Sequence, residues 1–161
     1  MEYEGGLTHL ADDGSARMVD VSGKEVTLRV ARAYCRLNMK PSTIEAITGK
    51  MVRKGDVLTV AKIAGITAAK KTAELIPLCH PLMLEEVDIE FKSDPERGSL
   101  EIVSTVSVTA KTGAEMEALE AVAQSALTVY DMCKSIDREM VIGEIKLLEK
   151  RGGKSGWWKR K

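Results

Sequence analysis

Apolar and polar positions alternate strictly from Ala31 onward. Ala31, Ala33, Cys35, Leu37 and Met39 fall on one side, and Arg32, Tyr34, Arg36 and Asn38 on the other. A two-residue period belongs to a strand with one buried face, which places Cys35 in the core. Pro41-Ser42-Thr43 then opens a helix through Thr48, and Gly49 closes it. A second helix follows Gly55-Asp56, with Asp56 as N-cap; Val57, Val60, Ala61, Ala64 and Ala68 recur at helical spacing. Ile76-Pro77-Leu78-Cys79-His80-Pro81 interrupts that pattern, and each proline pushes the residue before it, Ile76 or His80, toward extended backbone. Val87, Ile89 and Phe91 alternate, Asp94 to Gly98 turns, and Leu100, Ile102, Val106 and Val108 alternate again, which predicts a hairpin. The longest helix runs from Ala114 to Ser135. A last strand covers Met140 to Leu148, with Val141, Gly143, Ile145 and Leu147 in one phase, and Met18 to Val21 reads as a short extended segment.

Strand, helix pair, hairpin, helix and strand make a β-α-β-β-α-β order. It predicts an α+β, ferredoxin-like fold, an antiparallel sheet with helices packed on one face. The 161 residues suit one domain. Residues 1–16, polar and rich in glycine, read as a flexible N-terminal arm, 17–150 as the single domain and 151–161 as a basic C-terminal tail.

Charge changes the picture only when it is divided along the chain. The totals cancel, 24 basic against 24 acidic residues. Residues 150–161, however, carry six basic residues and no acid, which leaves 18 basic against 24 acidic residues in 1–149. An acidic body argues against a nucleic-acid binder, which is ordinarily strongly basic. The cysteines, Cys35, Cys79 and Cys133, are odd in number. The first residues are acidic and polar, and no apolar run approaches the roughly 20 residues that span a bilayer. Free thiols in a reducing cytoplasm are the expectation, with no membrane association.

Three local features carry candidate chemistry. The proline-bracketed loop presents His80, a donor, acceptor or acid/base near neutral pH, against the ordinary alternative of a structural loop histidine. On the long helix, Glu115, Glu117 and Glu120 sit near the start, where the helix dipole alone favours carboxylates. Asp131 and Lys134, three apart, face the same way; they form either a local ion pair or an acid/base pair. Glu117 and Asp131 are 14 residues apart, about 21 Å along a continuous helix. Such groups act on one small molecule only if the ligand is long or if two copies of the chain meet. Lys24, Arg29, Lys54, Lys70, Lys134, Lys150 and Lys154 are candidates for an anion site. Gly152 to Gly156 lacks the glycine a phosphate-binding P-loop needs where Leu148 stands. The two histidines and three cysteines show no metal-ligand spacing.

Several segments taken together resemble one family. They are Met18-Val19-Asp20-Val21, Lys54-Gly55-Asp56-Val57, Ile76-Pro77-Leu78-Cys79-His80-Pro81-Leu82, Thr112-Gly113-Ala114-Glu115-Met116-Glu117-Ala118-Leu119, Tyr130-Asp131-Met132-Cys133-Lys134 and Gly152-Gly153-Lys154-Ser155-Gly156. The resemblance, to the MoaC family of molybdenum cofactor biosynthesis, extends from about Leu7 to Gly156. Ala114 and Glu120 depart from the family's pattern, where valine and threonine are expected. The resemblance implies a lyase that converts a cyclised dihydroguanosine triphosphate into cyclic pyranopterin monophosphate with release of pyrophosphate. It also implies a hexamer, a trimer of dimers, with sites between subunits. By motif match Lys54 and Lys134 are the acid/base lysines, one of them lowered in pKa by neighbouring cations, with Asp131 as their carboxylate and His80 beside them. Leu78, Cys79, His80, Met116 and Glu117 hold the substrate. Glu115, Asp20, Lys24, Arg29, Lys70, Lys150 and Lys154 complete its binding, the cations facing the triphosphate. No cofactor is required by the sequence, although magnesium can accompany the triphosphate. The competing reading is a non-catalytic ferredoxin-like module that binds a small anion or a protein.

Overall fold

The computed structural model describes residues 13–154 and 156–161. Its elements are β1 (Thr27–Asn38), α1 (Pro41–Thr48), α2 (Val57–Lys70), α3 (Thr72–Leu75), β2 (Glu86–Asp94), β3 (Ser99–Ala110), α4 (Glu115–Cys133), β4 (Val141–Arg151) and β5 (Trp157–Lys159). The strands form one sheet in the order β2-β3-β1-β4-β5, every neighbouring pair antiparallel. Four of them and the two long helices give the ferredoxin-like arrangement.

The alternation sets the central register. Ala31 lies opposite Val106, Cys35 opposite Ile102 and Leu37 opposite Leu100, all with no measurable exposure. A one-residue slip would turn this whole row to solvent. α4 covers the row with Ala118, Ala121, Val122, Ala126 and Val129, all fully buried. α2 packs beside α4 at small residues. Ser125 Oγ donates to the Ala61 carbonyl at 3.0 Å, and a Cβ on Gly65 would collide with Ser125 Oγ and the Ala121 carbonyl. Asp56 caps α2 as the sequence predicts, accepting from the Thr59 N–H at 3.1 Å. Ile76 is extended, as its proline requires.

The link from α4 to β4 is pinned by a buried carboxylate. Asp137 accepts from the Lys40 N–H at 2.9 Å, the Thr43 hydroxyl at 3.1 Å and the Glu139 N–H at 3.1 Å. Burial alone would push its carboxyl up in pKa; these donors outweigh burial and hold it below its ordinary value.

Several expectations need correction. Met18 to Val21 is irregular and not a strand. Val60 on α2 is exposed, because the helix turns Val57, Ala61, Ala68 and Ala69 inward instead. β4 does not keep one phase: Ile142 and Leu147 pack on the core, whereas Val141 and Ile145 are exposed. Register shifts opposite Arg32/Ala33 and Tyr34/Arg36, with Glu144 at φ 55°, insert extra residues. Each bulge reverses which face the following side chains take. Of the basic tail, Arg151 ends β4 and Trp157–Lys159 returns as β5, paired with Glu149–Arg151. The N-terminal arm lies outside the described residues up to position 12.

Candidate active site

The first group stands at the C-terminal end of α4. Asp131 lies between two ammonium groups. Lys134 Nζ reaches Oδ1 at 2.7 Å, and Lys54 Nζ, from the turn before α2, reaches Oδ2 at 3.2 Å and the Asp131 carbonyl at 2.8 Å. The side chains remain open to solvent, Asp131 at 60% and Lys134 at 52%. The Lys134 ammonium, then that of Lys54, holds the Asp131 carboxyl below its ordinary pKa, and Asp131 in turn holds Lys134 above its own. The expected lowering by cation crowding therefore does not apply to Lys134. The Asp131 carboxylate favours the charged form of Lys134.

The second group lies at the other end of the same helix. A cleft of about 770 Å³ is lined by Lys24, Arg29, Lys150 and Lys154, four of the predicted anion ligands, together with Glu115. Lys111 and Arg151 also line it and were not singled out by the sequence, although each stands beside a motif already marked. Lys150 Nζ meets Glu115 Oε1 at 2.8 Å, which ties the end of β4 to the first turn of α4. Arg29 is aimed by the Ala110 and Lys111 carbonyls, both at 3.4 Å. Gly152 and Gly153, at φ 100° and 69°, close over it. A Cβ on Gly152 would strike the Leu28 carbonyl and one on Gly153 the Arg29 guanidinium, so the backbone lies against the arginine only because both are glycine. Asp20 does not line the cleft. It accepts from the Ser22 N–H at 2.8 Å, and the Ser22 carbonyl takes Lys111 Nζ at 2.7 Å, so Asp20 shapes the approach to the rim.

A second, smaller cavity of about 120 Å³ opens between the end of α2, α3 and the proline loop. Glu117, Lys70, Pro81 and Leu82 line it. Lys70 thus stands with Glu117 and not with the cations of the large cleft. Glu117 is only 4% exposed, and burial, then its neighbour Glu115, pushes its carboxyl up to about 7. The turn of Ile76 to Cys79 closes with the Cys79 N–H on the Ile76 carbonyl at 3.0 Å. Cys79 lies close enough to α4 that its thiol is raised by burial and then by the charges of Glu117 and Glu120; Leu78 and His80, its neighbours in the chain, do not line the cavity. Cys35 and Cys133 are pushed up to about 11 by burial. None of the three thiols is set up as a nucleophile.

Glu115 lines the large cleft and Glu117 the small cavity, on different sides of the first turn of α4, and Met116 between them in sequence is half-buried. Asp131 lies about 21 Å along the helix from Glu117. The lysine–carboxylate–lysine group thus stands apart from both cavities.

Comparison with known proteins bears on the same residues. The MoaC family model matches residues 18–153. The chain belongs to the MoaC family. The cyclic pyranopterin monophosphate synthase of Pelotomaculum thermopropionicum is 58% identical over 156 residues, covering 97% of this chain and 92% of the relative. That of Parvibaculum lavamentivorans is 53% identical over 155 residues, covering 96% and 97%. The MoaC match takes in all three groups of site residues, from Asp20 to Gly153, and stops one residue short of Lys154.

Proposed function

We propose that this MoaC-family chain is a lyase of molybdenum cofactor biosynthesis that converts a cyclised dihydroguanosine triphosphate into cyclic pyranopterin monophosphate and pyrophosphate. The observation that carries this reading is the cleft at the first turn of α4, lined by Lys24, Arg29, Lys150 and Lys154 beside Glu115, a set of cations that suits a triphosphate. The identity of the named relatives over nearly the whole chain supports the same conclusion.

Lys24, Arg29, Lys150 and Lys154, aided by Lys111 and Arg151, neutralise the triphosphate and offset charge developing on departing pyrophosphate. Glu115 orients Lys150. Leu78, Cys79, His80, Met116 and Glu117 enclose the ring, with Lys70 at its edge and Asp20 at the cleft's approach. Ring opening and reclosure need several proton transfers. Lys54, Lys134 and Asp131 carry them, with His80 as a further donor or acceptor. Among the described residues no cluster of three or more His, Cys, Asp or Glu forms a metal cage. In the cleft the acids are Glu25 and Glu115, and Glu115 is engaged by Lys150. That lining fits phosphate oxygens and does not fit a protein-held magnesium ion; magnesium, where present, comes with the substrate.

The two ends of α4 serve one substrate when a second copy supplies Lys54, Asp131 and Lys134. The assembly that suits this is the hexamer, a trimer of dimers, built from a single catalytic domain of residues 17–150, with the arm 1–16 and the basic tail 151–161. No described helix is long and apolar enough to cross a membrane. Three free thiols among the described residues suit the cytoplasm, and the acidic body suits a small anionic substrate better than nucleic acid. Supplying the cyclised triphosphate and assaying pyrophosphate tests the reading against the binding-module alternative. Well-folded protein that releases none overturns it.

A further inference from the structure

One buried carboxylate joins the two segments that carry Lys134 and Lys54. Asp137 is 2% exposed and follows Lys134 in the turn that leaves α4. That turn is closed on the helix. The Lys134 N–H donates to the Tyr130 carbonyl at 2.8 Å, and the Ile136 and Asp137 N–H groups donate to the Cys133 carbonyl at 2.9 and 3.0 Å. The Asp137 carboxylate reaches from there to α1. Its Oδ2 accepts from the N–H of Lys40, the N-cap of α1, at 2.9 Å and from the Thr43 hydroxyl at 3.1 Å, while Oδ1 accepts from the Glu139 N–H at 3.1 Å. The N-cap of α1 makes no side-chain cap of its own, so a carboxylate 97 residues away in sequence holds the start of that helix.

α1 leads directly to Lys54. The chain after the helix is wound back on it, the Gly49 N–H on the Glu45 carbonyl at 2.8 Å and the Met51 N–H on the Ala46 carbonyl at 2.9 Å. Ile44, Ile47 and Val52 anchor this unit in the core, and the Gly55 N–H closes the turn around Lys54 on the Val52 carbonyl at 3.0 Å. Asp137 thus grips one end of a hydrogen-bonded unit that carries Lys54 at the other. The buried Cys133 thiol senses both ends: burial, then Asp137, pushes its pKa up, and Lys54 opposes them. We propose that Asp137 is a positioning residue for the lysine–carboxylate–lysine group: by holding the start of α1 against the turn after α4, it places the Lys54 ammonium on Asp131. This rests on the acid/base role assigned to Lys54 above. A misplacement of about 1 Å can cost a reacting group about a hundredfold in rate, so an anchor remote from the reacting atoms bears on turnover.

The test uses the full chain and the cyclised dihydroguanosine triphosphate, at a temperature where denaturant melts show every variant fully folded. Asp137→Asn keeps the shape of the side chain but turns an amide N–H toward one of its donors. It should lower kcat about tenfold or more and leave KM within about twofold, because the cationic cleft lies at the other end of α4. Thr43→Val should lower kcat in part, and Thr43→Ser, which keeps the hydroxyl, should restore it. In the Lys54→Ala background Asp137→Asn should cost less than about twofold, since the group it places is gone. An equal loss in both backgrounds makes Asp137 a general structural residue and overturns the inference, as does a raised KM with unchanged kcat. A crystal structure of Asp137→Asn supplies a readout free of turnover. The Lys54 ammonium should have left Asp131; if it still sits there at 3.2 Å, the inference is overturned. Should the wild type release no pyrophosphate, the enzymatic reading falls, and the variant's structure still decides whether Asp137 sets the Lys54–Asp131 contact.

Discussion

Lys54 and Asp131 are joined at 3.2 Å across 77 residues of sequence, and the same ammonium also bonds the Asp131 carbonyl at 2.8 Å. The turn before α2 is thereby fixed to the last turn of α4. Two ammoniums are held on one carboxylate where solvent, and hence a substrate, can reach them. Lys54→Ala and Lys134→Ala should each lower turnover by about a hundredfold or more, the scale of a lost acid/base group. Folding should be intact, because exposed ion pairs contribute little to stability. Near-normal rates in either variant would remove that lysine from the mechanism.

The pH dependence has a definite direction. Asp131 holds the Lys134 pKa above its ordinary value, so the ammonium is retained through neutral pH and lost only as pH rises through that raised value. A step that uses Lys134 as an acid should therefore slow on the alkaline side. Asp131→Asn removes the anion, and the alkaline limb of the pH–rate profile should move to lower pH. An unmoved limb would mean that Lys134 is not the group titrating.

In the cationic cleft, Lys154→Ala and Arg29→Ala should raise KM by about tenfold, the worth of one charge-assisted hydrogen bond, with a smaller effect on kcat. Gly153→Ala should resemble Arg29→Ala, since a Cβ there strikes the guanidinium. Steady-state kinetics at fixed ionic strength separates these outcomes from a general loss of fold.

A site shared between copies predicts complementation. Glu117→Ala and Lys134→Ala proteins, each inactive alone, should recover part of the activity when their subunits are mixed. Mixed oligomers that have demonstrably exchanged subunits and stay inactive would place the whole site within one chain.

Stability at low pH turns on Asp137. Its folded pKa is depressed, so its contribution is full above the unfolded value near pH 4 and is lost as pH falls through the lower, folded one. Asp137→Ala leaves the buried Thr43 hydroxyl and the Lys40 N–H without their acceptor and should cost about 1–3 kcal/mol at neutral pH. Denaturant melts of both proteins across the acid range should converge as pH drops.

Much of the fold was legible because the alternation at Ala31 to Met39 and Leu100 to Val108 has one buried face, and that face admits one register. β4 was not, since the bulge at Glu144 leaves no trace in a two-residue pattern, and β5 is too short to show a period. The Asp131–Lys134 ion pair was readable from helical spacing, which left open whether it is more than a local pair. Lys54 was reached only through its motif, because its partner is distant in the chain. Spacing could not show that Glu117 is buried, or that Lys70 lines its cavity and not the cleft of Arg29. Both follow from how α2, α3 and the proline loop pack against the first turn of α4.

The most direct test is a time course followed by phosphorus NMR after the cyclised dihydroguanosine triphosphate is added to the wild-type protein. The triphosphate signals should disappear as pyrophosphate and a cyclic phosphodiester grow in equal amounts, and Lys134→Ala should leave the substrate unchanged. Triphosphate signals that persist with folded wild-type protein, or inorganic phosphate appearing without the cyclic ester, would contradict the account.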